Sequence, residues 1–278
     1  VPLVNRFLLA WRRHWPYYLA EAGGIAFFVG CSGLLTMLIE HPASPVHQAL
    51  PDSKLLRRAL IGLGVCLVLV LIVYNPWGKR SGAHINPAVT LAFWQLGKIK
   101  PADAVWYVLA QVVGAIAAGQ LLKHLFGSLY AHPAVKYTVT QPADSTPQAA
   151  LVAFGAEFFI SFLMMLVALY FLHSAGLKKW TGWALGALLG LYVTFEAPLS
   201  GMSVNPARTL GTAVAAESYQ ALWVYWTAPP LAMWLATVAF LRIHHGQPLG
   251  CAILAGCAPA AASPHEEEPP EYPTANPE

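Results

Sequence analysis

Residues 81–94 read SGAHINPAVTLAFW, and residues 200–215 read SGMSVNPARTLGTAVA. At a shift of 119 positions (200 against 81), Ser81-Gly82-x-x-x-Asn86-Pro87-Ala88-x-Thr90-Leu91 repeats as Ser200-Gly201-x-x-x-Asn205-Pro206-Ala207-x-Thr209-Leu210. Each stretch opens as polar chain with Gly and Pro and closes as a short apolar run. That run is too short to cross a bilayer, which takes about 20 apolar residues, so each predicts a re-entrant half-helix. Around them lie six runs long enough to span, roughly 17–39, 58–75, 102–126, 149–172, 181–198 and 221–243. Ala20-Glu21 of the first span is echoed by Ala156-Glu157 of the fourth, which divides the chain into halves at about 17–130 and 149–245. Three spans per half turn the second half upside down against the first. Inverted repeats of this kind place the functional site at the midplane, between the halves. The expected fold is an all-α membrane protein of six transmembrane helices and two re-entrant half-helices in an inverted-repeat bundle. It occupies 17–245, between an N-terminal segment (1–16) and a C-terminal tail (246–278).

Composition agrees with a membrane setting. Hydrophobic residues make up 57% of the chain and charged ones 10%, where a soluble domain carries about a quarter charged. The net charge of +3 is small and scattered, which excludes nucleic acid as a partner and leaves the lipid bilayer. With the N-terminus inside, ten Lys and Arg fall on the inner side and five on the outer, with Arg208 in the second re-entrant stretch. Basic residues collect on the cytoplasmic side, so both termini are expected there, in a plasma (inner) membrane. Arg57 and Arg58 stand against this count, abutting a span on the outer side. The first apolar run holds Glu21 and has no small-residue cleavage site, so it does not read as a removable signal. The tail ends PHEEEPPEYPTANPE, acidic and Pro-rich, and is expected to be disordered. The four cysteines have no metal-type spacing. Cys31 and Cys66 read as small apolar residues inside runs, and Cys251 and Cys257 as unpaired tail thiols.

Irregular backbone at membrane depth survives where protein buries it or water bathes it. Gly82–Ile85 and Gly201–Val204 are thus expected to offer carbonyl oxygens to a wet path. Pro87 and Pro206 sit in the first turn of each half-helix, where a missing N–H costs little. Asn86 and Asn205 take the N-cap positions, free to aim amide donors at the path. The half-helices enter from opposite faces, so their positive ends meet at the centre. A water there accepts from both asparagines and is held in one orientation, which breaks a proton wire and repels cations. Arg208, charged and at membrane depth, is a site residue by default. Glu21 and Glu157 read either as proton relays or as carboxylates bracing the re-entrant loops, and their equivalence favours bracing, with His84 in a similar supporting role. Glu196 has no assignable role.

Two Asn-Pro-Ala boxes with shared flanks, the second continuing into Arg208, resemble the signature of the aquaporin or major intrinsic protein family over roughly residues 17–245. The resemblance implies a homotetramer with one pore per subunit, no cofactor, no metal and no enzymatic activity. It also implies a narrow outer filter with Arg208, Met202, Val193 and, counting back from Asn86, Cys66. Two departures leave the solute open. Valine replaces the histidine usual in dedicated water channels, and Thr209 replaces the aspartate usual in glycerol facilitators. Water is the expected permeant, with glycerol or another small neutral solute as the alternative and a non-conducting structural member as a third reading. A secondary transporter would need converging carboxylates for a coupling ion, and none are seen.

Overall fold

The computed structural model describes residues 3–245 and 249–257. Its elements are α1 (Leu3–Glu40), α2 (Pro45–Ala49), α3 (Lys54–Tyr74), α4 (Pro76–Ser81), α5 (Pro87–Gln95), α6 (Pro101–Ala131), α7 (Pro147–His173), α8 (Thr181–Phe195), α9 (Ala197–Ser200), α10 (Pro206–Ala216) and α11 (Leu222–Ile243). No strand occurs among the described residues. Five helices, α1, α3, α6, α7 and α11, are long and apolar enough to cross a membrane. The expected sixth span is shorter than its sequence suggested. At 15 residues, α8 extends about 22 Å, under the roughly 30 Å of a hydrocarbon core, and the chain continues through the single turn of α9.

Packing interleaves the halves. α1 lies on α6 and α7 on α11, each within its own half, while α3 meets α8 across the divide. The half-helices are exchanged too, α5 resting against α11 and α10 against α6. Missing side chains allow the α3–α8 approach: a Cβ on Gly62 would stand 2.4 Å from the Gly190 carbonyl oxygen, and one on Gly190 2.8 Å from that of Gly62. Among helices in lipid, such small-residue contacts replace the absent hydrophobic drive.

Three features bear on the sequence expectations. The boundary at residue 16 falls inside α1, which runs through Pro16. Its N-terminal part is held by α6: Trp106 Nε1 donates to the Phe7 carbonyl at 3.1 Å, and Tyr18 Oη donates to Asp103 at 2.6 Å. Arg57, on the side where basic residues are few, is consumed locally. It is 5% exposed and donates to Glu40 and to the carbonyls of Leu50 and Pro51 at 2.6–3.0 Å, tying down the loop ahead of α3.

The third, a correction, is the start of the tail. Cys251 and Cys257 form a disulfide rather than standing as free thiols. Leu249, Cys251, Ala252, Leu254, Ala255 and Cys257 are all buried and belong to the main core. The acidic, Pro-rich composition behind the expectation of disorder is confined to the far end. CAILAGC (251–257) is apolar and can bury itself. Residues 258–278 lie outside the described residues.

Candidate functional site

Each half builds its re-entrant loop in the same way. Helices α4 and α9 end in left-handed glycines, Gly82 at φ 98° and Gly201 at φ 81°. The chain then alternates through further positive-φ residues: Ala83 (56°) and Ile85 (42°) in one loop, Met202 (49°) and Val204 (50°) in the other. Positive φ is costly for β-branched residues such as Ile85 and Val204. Such backbone persists where surrounding bonds over-determine it, and a buried glutamate supplies them.

Glu21 accepts from Ser81 Oγ (2.8 Å), the His84 N–H (3.1 Å), the Ile85 N–H (2.5 Å) and Gln111 Nε2 (2.8 Å). Glu157 accepts from Ser200 Oγ (2.8 Å), the Ser203 N–H (2.6 Å) and the Val204 N–H (2.8 Å). Both glutamates are fully buried. A tyrosine closes each loop from behind: Tyr107 Oη donates to the Ser81 carbonyl at 2.7 Å and Tyr225 Oη to the Ser200 carbonyl. Sequence reading missed Tyr107, Tyr225 and Gln111. A signal for the tyrosines existed, since they stand 118 positions apart (225 against 107), almost the register of the repeat. His84 lies beside this bracing, its Nδ1 3.3 Å from Thr90 Oγ1 and its ring stacked on Phe93.

At the centre the asparagines cap and cross. Asn86 Oδ1 accepts from the Ala88 N–H, and Asn205 Oδ1 from the N–H groups of Ala207 and Arg208. Pro87 and Pro206 occupy the first helical positions behind them. Asn86 Nδ2 donates to the Val204 carbonyl at 2.7 Å, and Asn205 Nδ2 to the Ile85 carbonyl at 2.8 Å. Each amide is thus fastened to the opposite loop, and one N–H per amide is left over.

Two cavities abut here, sharing Phe28 and Ser203. The inner, about 50 Å³, is lined by both asparagines, His84, Val204, Leu189 and Leu254, among others. That is room for a few waters, each needing on the order of 10–15 Å³. The outer, about 300 Å³, brings together Arg208, Met202 and Val193. Arg208 Nη1 is buried there with no hydrogen-bond partner among the described residues. Cys66 is not part of this vestibule. Its sulfur faces α8, 3.1 Å from where a Cβ on Gly186 would stand, and Ile61 and Val65 line the α3 side instead. Counting back from Asn86 falls short because Asn75 ends α3 and caps the separate turn α4, which lengthens the connection. Thr209 bonds Thr140 and Ser203 at 2.7 and 2.5 Å and is absent from the vestibule lining.

The sequence pattern of the family described as Major intrinsic protein matches residues 11–240. This chain belongs to the major intrinsic protein family. Among family relatives, "Aquaporin NIP6-1" of Arabidopsis thaliana is 36% identical over 201 residues, covering 72% of this chain and 62% of that one. "Aquaporin NIP1-2" of Oryza sativa subsp. japonica is 38% identical over 172 residues, 60% of this chain and 55% of the relative. The chain therefore spans little more than half the length of such relatives. In fold it is similar to the aquaglyceroporin from Plasmodium falciparum, with a TM-score of 0.65 at 18% identity over 82% of this chain and 96% of that one. The family and the five helices long and apolar enough to cross a membrane make the chain an integral membrane protein.

Proposed function

We propose that the chain passes water in single file and excludes ions and protons, working as a homotetramer with one pore per subunit. Its setting is the plasma (inner) membrane, with both termini cytoplasmic. One observation carries the reading: the amides of Asn86 and Asn205 are locked at the facing ends of two half-helices, each by a bond to the opposite loop. A water between them meets donors and two positive helix ends, so it accepts there and turns its own hydrogens outward. Arg208, with Nη1 unspent in the vestibule, adds a fixed positive charge against cations. Met202 and Val193 would set the bore beside it, while Glu21, Glu157 and His84 hold the loops and carry no protons.

A second reading, a conduit for glycerol or a similar small neutral solute, is favoured by the apolar wall that Ile61, Val65, Val193 and Met202 give the vestibule. Stopped-flow light scattering on proteoliposomes separates the two. The chain is reconstituted in full and also ending at His245, because Leu254 lines the inner cavity. Fast shrinking in sucrose without re-swelling in glycerol is the expected result. Re-swelling in glycerol would transfer the function to the second reading, and empty-vesicle rates from both forms would leave a non-conducting member of the family. Arg208→Ala is expected to keep water flux and to admit protons, followed with a pH-sensitive dye in the lumen.

A further inference from the structure

The apolar segment that follows α11 does not hang free of the conduit. Leu249 is fully buried, Cys251 and Leu254 are each 3% exposed, and Leu254 is part of the inner cavity wall beside Ala83, His84 and Asn86. The Leu254 N–H donates to the Gly82 carbonyl at 3.1 Å. The Ala252 carbonyl stands 3.3 Å from His84 Nε2. Gly82 opens the run of re-entrant backbone whose carbonyls would otherwise serve passing water, so its acceptor is already taken by protein. The other side of the segment is seated against the connection before α8: a Cβ on Gly256, which has φ 81°, would lie 2.7 Å from the Lys178 carbonyl oxygen. The segment is held between the Gly82–His84 loop and the Lys178–Lys179 turn, at one end of the inner cavity.

Its shape is internally fixed. Cys251 and Cys257 are disulfide-bonded, the Ile253 N–H points at Cys251 Sγ (3.4 Å), and the Gly256 N–H donates to the Ile253 carbonyl at 2.8 Å. The cross-link narrows the conformations open to the undocked segment, which favours the docked one.

We propose that residues 249–257 are a tethered plug of the conduit, and that the Cys251–Cys257 disulfide is its latch. The proposal rests on the channel reading above. With the latch closed, Leu254 and the Ala252 carbonyl occupy the inner mouth and flux is low. A dithiol reductant opens the latch: two electrons and two protons pass to the S–S bond, giving two thiols, while the dithiol becomes a disulfide. The freed segment gains conformations only when undocked, so the equilibrium shifts to the open mouth. If this end of the conduit faces the cytoplasm, as the basic residues predict, a thioredoxin-type dithiol there supplies the two electrons and two protons.

Shrinking of proteoliposomes in sucrose tests this directly, with the oxidised full chain, the same protein after dithiothreitol, the Cys251→Ser/Cys257→Ser double variant, and a chain ending at His245. A plug docked in nine molecules of ten lowers flux about tenfold. The truncated chain is therefore expected to run about tenfold faster than the oxidised one and to ignore dithiothreitol. The reduced and double-Ser forms are expected to approach the truncated rate. Should truncation disturb folding, full-length Gly256→Val, whose side chain cannot seat against Lys178, is expected to give the same acceleration. Equal rates well above empty vesicles in the oxidised, truncated and Gly256→Val forms would overturn the plug and leave the channel standing. Empty-vesicle rates in every form, with folding verified by circular dichroism and gel filtration, would overturn both. Acceleration by truncation but none by reduction would overturn the latch.

Discussion

Glu157 meets three donors with two oxygens, and two of those donors are main-chain N–H groups on a backbone bent through positive φ. Glu157→Gln keeps the shape and exchanges one acceptor oxygen for an NH₂, which must face either the Val204 N–H or the Ser203 N–H and Ser200 hydroxyl. A buried donor left unpaired costs about 1–3 kcal/mol. A lower thermal midpoint in detergent is the expected outcome, and Glu21→Gln, with four donors to satisfy, should fall at least as far. An unchanged midpoint in both would mean that the loops hold their shape without the carboxylates. The repeat made these two residues legible because each opens the first span of its half. Their helpers were less so: Gln111 in α6 sits in an apolar helix with no local motif to mark it, and its importance comes only from what α6 packs against.

Helices α3 and α8 approach closely enough to exclude a side chain. Gly62→Val would drive a β-branched group into the Gly190 carbonyl, 2.4 Å from where its Cβ must stand. Overpacking of this kind costs typically about 1–3 kcal/mol, and the rigid obstacle is backbone. Loss of monodisperse protein on gel filtration is expected. Gly155→Ala serves as the control. No atom lies within 4 Å of a Cβ there, and alanine in a helix interior is favoured over glycine by roughly 0.5–1 kcal/mol, so its midpoint should hold or rise slightly. The order of the long helices was readable at this scale because an apolar run of spanning length has almost nowhere to escape water except a bilayer, while α8 came out shorter than its apolar run. Registers were not. The cap at Asn75 inserts a turn that no count of residues reveals, and that turn moved the vestibule wall from Cys66 to Ile61 and Val65. The seating of CAILAGC was hidden by its neighbours, whose acidic and Pro-rich composition dominated the reading of the whole tail.

Across the molecule, neither half is self-sufficient. α5 rests on α11, α10 rests on α6, and the Nδ2 of each central amide donates to the other half's loop. Fragments 1–143 and 144–278 expressed together are expected to assemble, with a tag on one retaining the other and water flux recovered in vesicles. Either fragment alone is expected to be aggregated or heat-labile. A lone fragment as heat-stable as the pair would show that the halves fold independently. The crossing of the amides also orders events at the ribosome. Asn86 finds its acceptor 118 residues downstream, which at 5–20 residues per second is a delay on the order of ten seconds. Until the second re-entrant loop has threaded in, the Asn86 amide has no Val204 carbonyl to meet, so the midpoint of the molecule is the last part of it to set.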